Sequence, residues 1–186
     1  NDRLNPYAFK DGPEFRWVRP GTVGGKSLTW GRVSLRFGPQ DFEANGKDGH
    51  GNDWPVRYED IAPWYSYVES YAGISGQKEG LWQLPDGEFQ PPHPMNVAEL
   101  WFKDKLETAM PGRKCIPTRA ANMTEDKPEQ GRSRCQNRSQ CNRGCSFGAY
   151  FSTQAVTLPA ARATGNLTLI PDAVVASLEY DAKTKK

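Results

Sequence analysis

A chain of 186 residues with 37% hydrophobic and 25% charged side chains has the balance of a folded globular protein, not of a disordered one. Lysine and arginine number 24 against 22 acidic residues, a net +2, which excludes the strongly basic field of a nucleic-acid-binding domain. No apolar run approaches the roughly 18 residues of a membrane-spanning helix, and 18 glycines with 15 prolines predict a loop-rich fold.

The first residues, NDRLNPYAFK, are polar and carry neither an initiator Met nor a signal-peptide core, so the natural start is expected upstream. FRWVRP at 15–20 and RVSLRF at 32–37 alternate apolar and basic residues around a glycine-rich turn. Both read as short strands, or the second as the start of a helix. Residues 38–55 are turn formers almost throughout and read as a surface loop. Pro63 then sits in the first turn of a predicted helix with Trp64, Tyr67, Val68 and Tyr71 on one face, stopped by Gly73 and Gly76. After the loop LPDGEFQPPHP, Asn96 with Glu99 three residues on marks a capped helix that carries Leu100, Trp101, Leu106 and Met110 and ends at Pro111-Gly112.

Cys115 lies in KCIPT, a strand-like stretch where a cysteine is by default a small buried hydrophobe. Residues 121–134 are polar and expected to be exposed. Ser152 can cap a short helix that packs Ala155, Val156 and Ala160, with Pro159 disturbing it. Asn166–Ile170 and Ala173–Leu178 read as consecutive strands, the second continuing to Tyr180. A lone strand followed by DAKTKK normally wants a hairpin partner, so the chain is expected to be an internal fragment. The fold class is α+β, short strands plus three helices, loop-rich, in what reads as one incomplete domain. Its regions are the glycine loop with its surface loop (1–52), a helical segment (53–112), a Cys-rich loop region (113–150) and a helix with a strand pair (151–186).

Two motifs carry chemistry. PGTVGGKSLTWG at 20–31 ends a glycine turn in Gly-Lys-Ser, as a phosphate-binding P-loop does. The first glycine of that motif should stand at position 20, where Pro20 instead removes an N–H from the nest. The plain alternative is a glycine turn between strands. Adjacent Gly24 and Gly25, the Ser27 hydroxyl and the aromatic Trp30 beside Gly31 suit a ligand with both a phosphate and a ring system.

The second motif is CQNRSQCNRGC, which places Cys135, Cys141 and Cys145 close together with Gly144 and Gly148 to bend the backbone. Three such thiols can converge on a metal centre. Disulfide pairing with one cysteine spare, or unlinked thiols, are the alternatives. His50 and His93 stand in Gly and Pro loops and read as solvated rather than as ligands. Arg132, Arg134, Arg138 and Arg143 surround the cysteines, either as a solvated loop or as compensation for thiolate charge. A non-enzymatic Cys-rich metal-binding or interaction module fits this part of the sequence as well as an enzyme does.

TVGGKSLTWGRVSLRF, Asp41-Phe42, DWPVRYEDIAPWYSYVE at 53–69 and GNLTLIPDAVVASLEYD near the end together resemble the glucose-methanol-choline (GMC) family of flavin oxidoreductases. The likeness is to the branch holding pyranose oxidases and bacterial sugar and gluconate dehydrogenases. It implies part of a GMC-type FAD-binding domain, in which Val23, Gly24, Gly25, Lys26, Ser27, Thr29, Trp30 and Gly31 lie along FAD and Val175 lines its adenine end. Where pyranose oxidases carry a flavin-linked His before that Trp, this chain has Thr29, which implies non-covalent FAD. The cysteine spacing is that of family members with a three-iron four-sulfide cluster, implying Cys135, Cys141 and Cys145 as its ligands. The resemblance further implies a periplasmic enzyme oxidising a sugar or polyol alcohol, with a cytochrome c subunit, a small chaperone-like subunit and the remainder of its own chain as partners. The family's catalytic His region and GxGxxG motif are absent, so no catalytic residue is assigned and the segment alone is expected to be inactive.

Overall fold

The computed structural model describes residues 20–185. Apart from Pro20, the predicted strand at 15–20 lies outside them. Four α-helices, α1 Pro39–Asp48, α2 Tyr58–Ala72, α3 Val97–Ala109 and α4 Thr157–Ala163, are joined by long loops that contain 3-10 turns at Gly25–Leu28, Pro128–Gln130 and Cys141–Arg143.

Helix α1 corrects the surface-loop reading of 38–55. Pro39 stands at its first position and the Gly38 N–H donates to the Asp41 carboxylate at 2.6 Å, which starts the helix in spite of poor interior formers. Phe42, buried and edge-on to both Phe37 and Trp54, anchors it. One aromatic in the right register outweighs the propensity of its neighbours.

Helix α2 ends as predicted at Gly73, whose φ is 76°. The aromatic face is not the one turned inward: Trp64, Tyr67 and Val68 are exposed, while Glu69 and Ala72 are buried. The helix turns inward the carboxylate that meets Arg36. Helix α3 has the predicted cap, with the Glu99 N–H donating to Asn96 Oδ1 at 3.0 Å and the Asn96 N–H to Glu99 Oε2 at 2.7 Å. No residue of α3 is buried. Ser152 Oγ accepts the Ala155 N–H at 3.2 Å and caps a turn; the helix proper begins at Thr157, so Pro159 falls in its first turn and does not disturb it. Val156 is buried, but Ala160 is exposed.

The predicted strands are not formed among the described residues. RVSLRF contributes a single bridge at Val33, KCIPT is irregular and leaves Cys115 only half-buried, and residues 166–180 make no bridge and are broken by a turn at Pro171-Asp172, where Asp172 has a φ of 58°. Leu178 is 93% exposed. A β-pattern makes a strand only where a partner edge lies alongside, and no described segment lies along these residues.

Residues 119–123 form the hub, which corrects the expectation that 121–134 is exposed at 121–123; Arg132 is buried as well, while Glu125, Asp126, Pro128, Glu129, Gly131, Ser133 and Arg134 are exposed. Ala121 and Met123 are 1% and 0% exposed. On one edge Ser75 and Ala120 exchange N–H···O bonds of 2.9 and 3.0 Å; on the other Ala121 N–H donates to Arg32 O at 2.8 Å, Phe151 N–H to Ala121 O at 2.9 Å and Met123 N–H to Ala149 O at 3.0 Å. Ala72, Ile74 and Ala121 make the core, with Trp30, Phe89 and Phe151 packed against it.

Buried arginines tie the loops to this hub. Arg36 forms a two-pronged pair with Glu69 (2.8 and 2.6 Å) and also donates to Tyr58 Oη and Ser66 Oγ, each at 2.9 Å. The hydrogen bonds to Glu69 raise its pKa. Arg119 donates to Pro85 O at 2.6 Å and Asp86 Oδ1 at 3.0 Å and lies over the Phe89 ring. Burial alone would raise the Asp86 pKa, but the N–H groups of Glu79 and Gly80 and the charge of Arg119 hold it below the ordinary carboxylate range.

Removing one partner of the buried pair strands the other. Glu69→Ala is expected to cost about 3–5 kcal/mol in urea unfolding, against less than about 0.5 kcal/mol for the surface change Lys105→Ala. The Asp86 contribution has the opposite pH sense to a raised cation. A depressed carboxylate stabilises fully above its unfolded pKa and loses that contribution as pH falls through the folded one. Asp86→Asn should therefore flatten the loss of stability on the acid side of the ordinary carboxylate range; an unchanged acid limb would refute the assignment.

Candidate functional site: the glycine and cysteine loops

The glycine loop is built from its own turn and from a clamp. Gly24 and Gly25 have φ of 101° and 53°, conformations that a side chain would strain. Ser27 Oγ donates to Gly24 O at 2.6 Å, lies 2.9 Å from Thr153 Oγ1 and accepts the Thr153 N–H at 3.1 Å, while Gln154 Nε2 donates to Val23 O at 2.6 Å. A Cβ on Gly24 would meet Thr153 Oγ1 at 3.1 Å, whereas Gly25 and Gly31 have nothing within 4 Å of theirs. The loop's inner side is thus packed on 153–154. Its open side is Gly25, exposed Lys26 and Gly31.

Trp30 meets Phe151 edge-on and its Nε1 donates to Phe151 O at 3.3 Å. Thr29 Oγ1 turns back to Lys26 O at 3.4 Å. The residue that sets the loop in place is Arg32, 2% exposed and itself at a positive φ of 61°. It donates to Phe151 O at 2.8 Å, to Ser27 O at 2.9 Å and to Trp30 O, and stacks 3.8 Å over the Tyr150 ring. Burial lowers its pKa, while Tyr150, Cys141 and Cys145 act in the other direction. The alternating pattern read at 32–37 gives Arg32 no role of its own; two of the carbonyls it serves, Ser27 and Trp30, lie in its own loop, and the third, Phe151, comes from a distant segment that no local pattern shows.

Beyond Tyr150 lies the cysteine loop. Cys135, Cys141 and Cys145 line one cavity of about 260 Å³ with Asn122, Phe147 and Tyr150. All are free thiols, half-buried, so the disulfide alternative is not realised. The sulfurs share a cavity but do not make a ligand set: among the described residues no three His, Cys, Asp or Glu side chains are grouped to hold a metal ion. The expected cluster ligands therefore do not fit a metal centre in this conformation, and no chemistry is derived through one. His93 is turned to Asn122 O at 3.2 Å, and His50 is exposed.

The arginines around the cysteines divide. Arg134 and Arg143 are exposed and Arg138 lies 5.8 Å from the Phe147 ring centre. Arg132 is 2% exposed, and burial lowers its pKa. Its Nε donates to Gly148 O at 2.8 Å and its Nη1 to Ala72 O and Gln130 Oε1, each at 2.9 Å, but Nη2 has no partner. Val175 is not brought to the glycine loop. It is 77% exposed, within a run that is exposed almost throughout.

No family model matches the chain. It is 27% identical over 185 residues to the fructose dehydrogenase large subunit of Gluconobacter japonicus, covering 97% of this chain and 34% of the relative. It is 33% identical over 152 residues to paromamine 6'-oxidase of Streptomyces fradiae, covering 79% and 26%, and 28% identical over 191 residues to 6'''-hydroxyparomomycin C oxidase of Streptomyces lividus, covering 97% and 34%. The chain spans between a quarter and about a third of the length of these relatives.

Arg32→Met removes the donors that hold Ser27, Trp30 and Phe151 together. The amides of Ser27, Thr29 and Trp30, bonded within the turn at 3.0–3.1 Å, should exchange with deuterium faster while those of α3 stay as they were. Unchanged exchange in the turn would show that the clamp at 153–154 suffices alone.

Proposed function

We propose that this chain is the flavin-contacting part of a GMC-family oxidoreductase that oxidises the alcohol group of a sugar, sugar acid or polyol and passes the electrons to an external acceptor. The observation that carries the reading is the alignment of 97% of the chain with the fructose dehydrogenase large subunit and with 6'''-hydroxyparomomycin C oxidase, and of 79% with paromamine 6'-oxidase. The glycine loop supports it. Gly25 and Gly31 leave backbone open to a ligand, exposed Lys26 offers a cation beside it, and Trp30 supplies a ring edge fixed on Phe151.

When bound, FAD supplies the two-electron chemistry by accepting hydride from the alcohol carbon. What this chain contributes is placement. Gly25 lets the main chain approach, Arg32 holds the turn rigid, and the Gly24 and Ser27 groups are spent on the clamp rather than on the ligand. Thr29 has neither an imidazole nor a thiol to attach a flavin, which favours non-covalent binding. The base that takes the alcohol proton is not assigned to any residue of this chain. The periplasmic setting, the cytochrome c and chaperone-like subunits and the rest of the chain remain part of the same proposal and rest on the family resemblance.

The test uses the longest natural chain that carries this segment. It should purify with flavin absorption, and acid precipitation should release the yellow colour into the supernatant; colour held in the pellet means a covalent link, and a colourless protein that takes up no FAD overturns the reading in favour of a non-enzymatic module. Gly25→Ala places a Cβ on the open side and strains a positive φ. It should weaken FAD by roughly tenfold, of the order expected for a cost of about 1–2 kcal/mol, as read by flavin fluorescence titration.

A further inference from the structure

The cysteine loop has fixed ends and an open middle. Ser133 N–H donates to Phe147 O at 2.9 Å, Cys135 N–H to Met123 O at 2.9 Å and Met123 N–H to Ala149 O at 3.0 Å, so both ends are tied to the hub. Between them residues 136–140 and 142–144 are exposed. A metal centre needs ligand atoms that converge on one point, and the three reduced thiols do not stand alike. The Cys135 sulfur is engaged by its own turn, accepting the Asn137 N–H at 3.5 Å and donating to Asn137 Oδ1 at 3.6 Å. Cys141 and Cys145 instead both act through space on the buried guanidinium of Arg32. The 3-10 turn Cys141–Arg143 and Gly144, at a φ of 101°, separate these two in the chain. A disulfide needs Cα atoms within about 7 Å, a distance that four extended residues exceed and that a turn brings within reach.

We infer that the cysteine loop is a thiol oxidation site and not a metal centre: Cys141 and Cys145 form a reversible disulfide, and Cys135 stays free. The oxidant is a small anionic disulfide. Arg138 lines the cavity, exposed Arg134 and Arg143 stand beside its cysteines in the chain, and among the described residues no Asp or Glu lines it, so its mouth attracts negative charge. One protein thiol, as thiolate, displaces a sulfur of the small disulfide, and a mixed disulfide forms as one small thiol leaves. The second protein thiol then displaces the other small thiol and closes the Cys141–Cys145 bond. The electron pair and the protons that the protein gives up leave with the two small thiols. The site bears on the glycine loop through Tyr150, which lines the same cavity and donates from Oη to Gly31 O at 3.2 Å, and it does not rest on the flavin reading.

Trypsin makes the pairing readable, because cuts after Arg134, Arg138, Arg143 and Arg162 leave Cys135, Cys141 and Cys145 on separate peptides, 135–138, 139–143 and 144–162. The longest natural chain that carries this segment is purified anaerobically, assayed for iron and acid-labile sulfide, equilibrated with glutathione disulfide, alkylated and mapped. The expected result is neither iron nor labile sulfide, peptides 139–143 and 144–162 joined by a bond that dithiothreitol breaks, and peptide 135–138 alkylated. Cys141→Ser should abolish the link and leave glutathione held on Cys145, while Cys135→Ser should leave the link as it was. Stoichiometric iron and sulfide that Cys141→Ser removes overturn the proposal in favour of a cluster. A link through peptide 135–138 overturns the pairing, and alkylation of all the cysteine peptides after exposure to the oxidant overturns the site. The map of the unsubstituted protein carries the test if a variant fails to fold.

Discussion

Four arginine side chains, Arg32, Arg36, Arg119 and Arg132, are between 1% and 6% exposed, and the rest of the structure depends on them. Isolated bridges in place of ladders among the described residues leave loop carbonyls inside without strand partners, and buried carbonyls must be satisfied. A guanidinium carries five N–H donors in a rigid fork, so one side chain can serve carbonyls that no regular element would pair. Arg32 serves Ser27, Trp30 and Phe151, Arg132 serves Ala72 and Gly148, and Arg119 serves Pro85. Arg36 differs, spending its fork on the Glu69 carboxylate, and with it the orientation of α2 is fixed.

The same groups join the two loops that carry the candidate chemistry. Arg32 holds the glycine turn from one side and lies over Tyr150, which lines the cysteine cavity. Arg132 approaches the cysteine loop from the other side, and the groove it lines reaches Leu28 of the glycine turn. Loops more than a hundred residues apart are thereby neighbours. The hub at 119–123 makes this geometry possible because Ala120 and Ala121 are small enough for extended segments to approach on both edges.

The aromatic residues of α2 and α3 show the other side of the arrangement. Trp64, Tyr67, Leu100 and Trp101 are each more than half exposed, and the buried surface is carried instead by short residues around the hub. Helical spacing identified these positions as one face without saying which face the core would take. The decision fell to Glu69, a polar residue, because a charge can be buried only where its partner is.

What the sequence by itself determined is local. The Asn96–Glu99 cap, the stop at Gly73 and the turn at Gly24-Gly25 each rest on one residue's backbone or side-chain reach, and each stands where the sequence puts it. Helix α1 was hidden because its single anchor, Phe42, acts through Phe37 and Trp54 rather than through its own periodicity. The glycine loop and the cysteine trio were legible as candidates from residue type and spacing; that the loop's Gly24 and Ser27 are consumed by Thr153, that the three sulfurs share a cavity without forming a ligand set, and that Arg32 and Arg132 are buried between them were not. Only the tertiary structure decided those, because hydrogen-bond acceptors and burial are supplied by segments distant in the chain, and an arginine in a polar run has the same local pattern whether it points to water or holds the fold together.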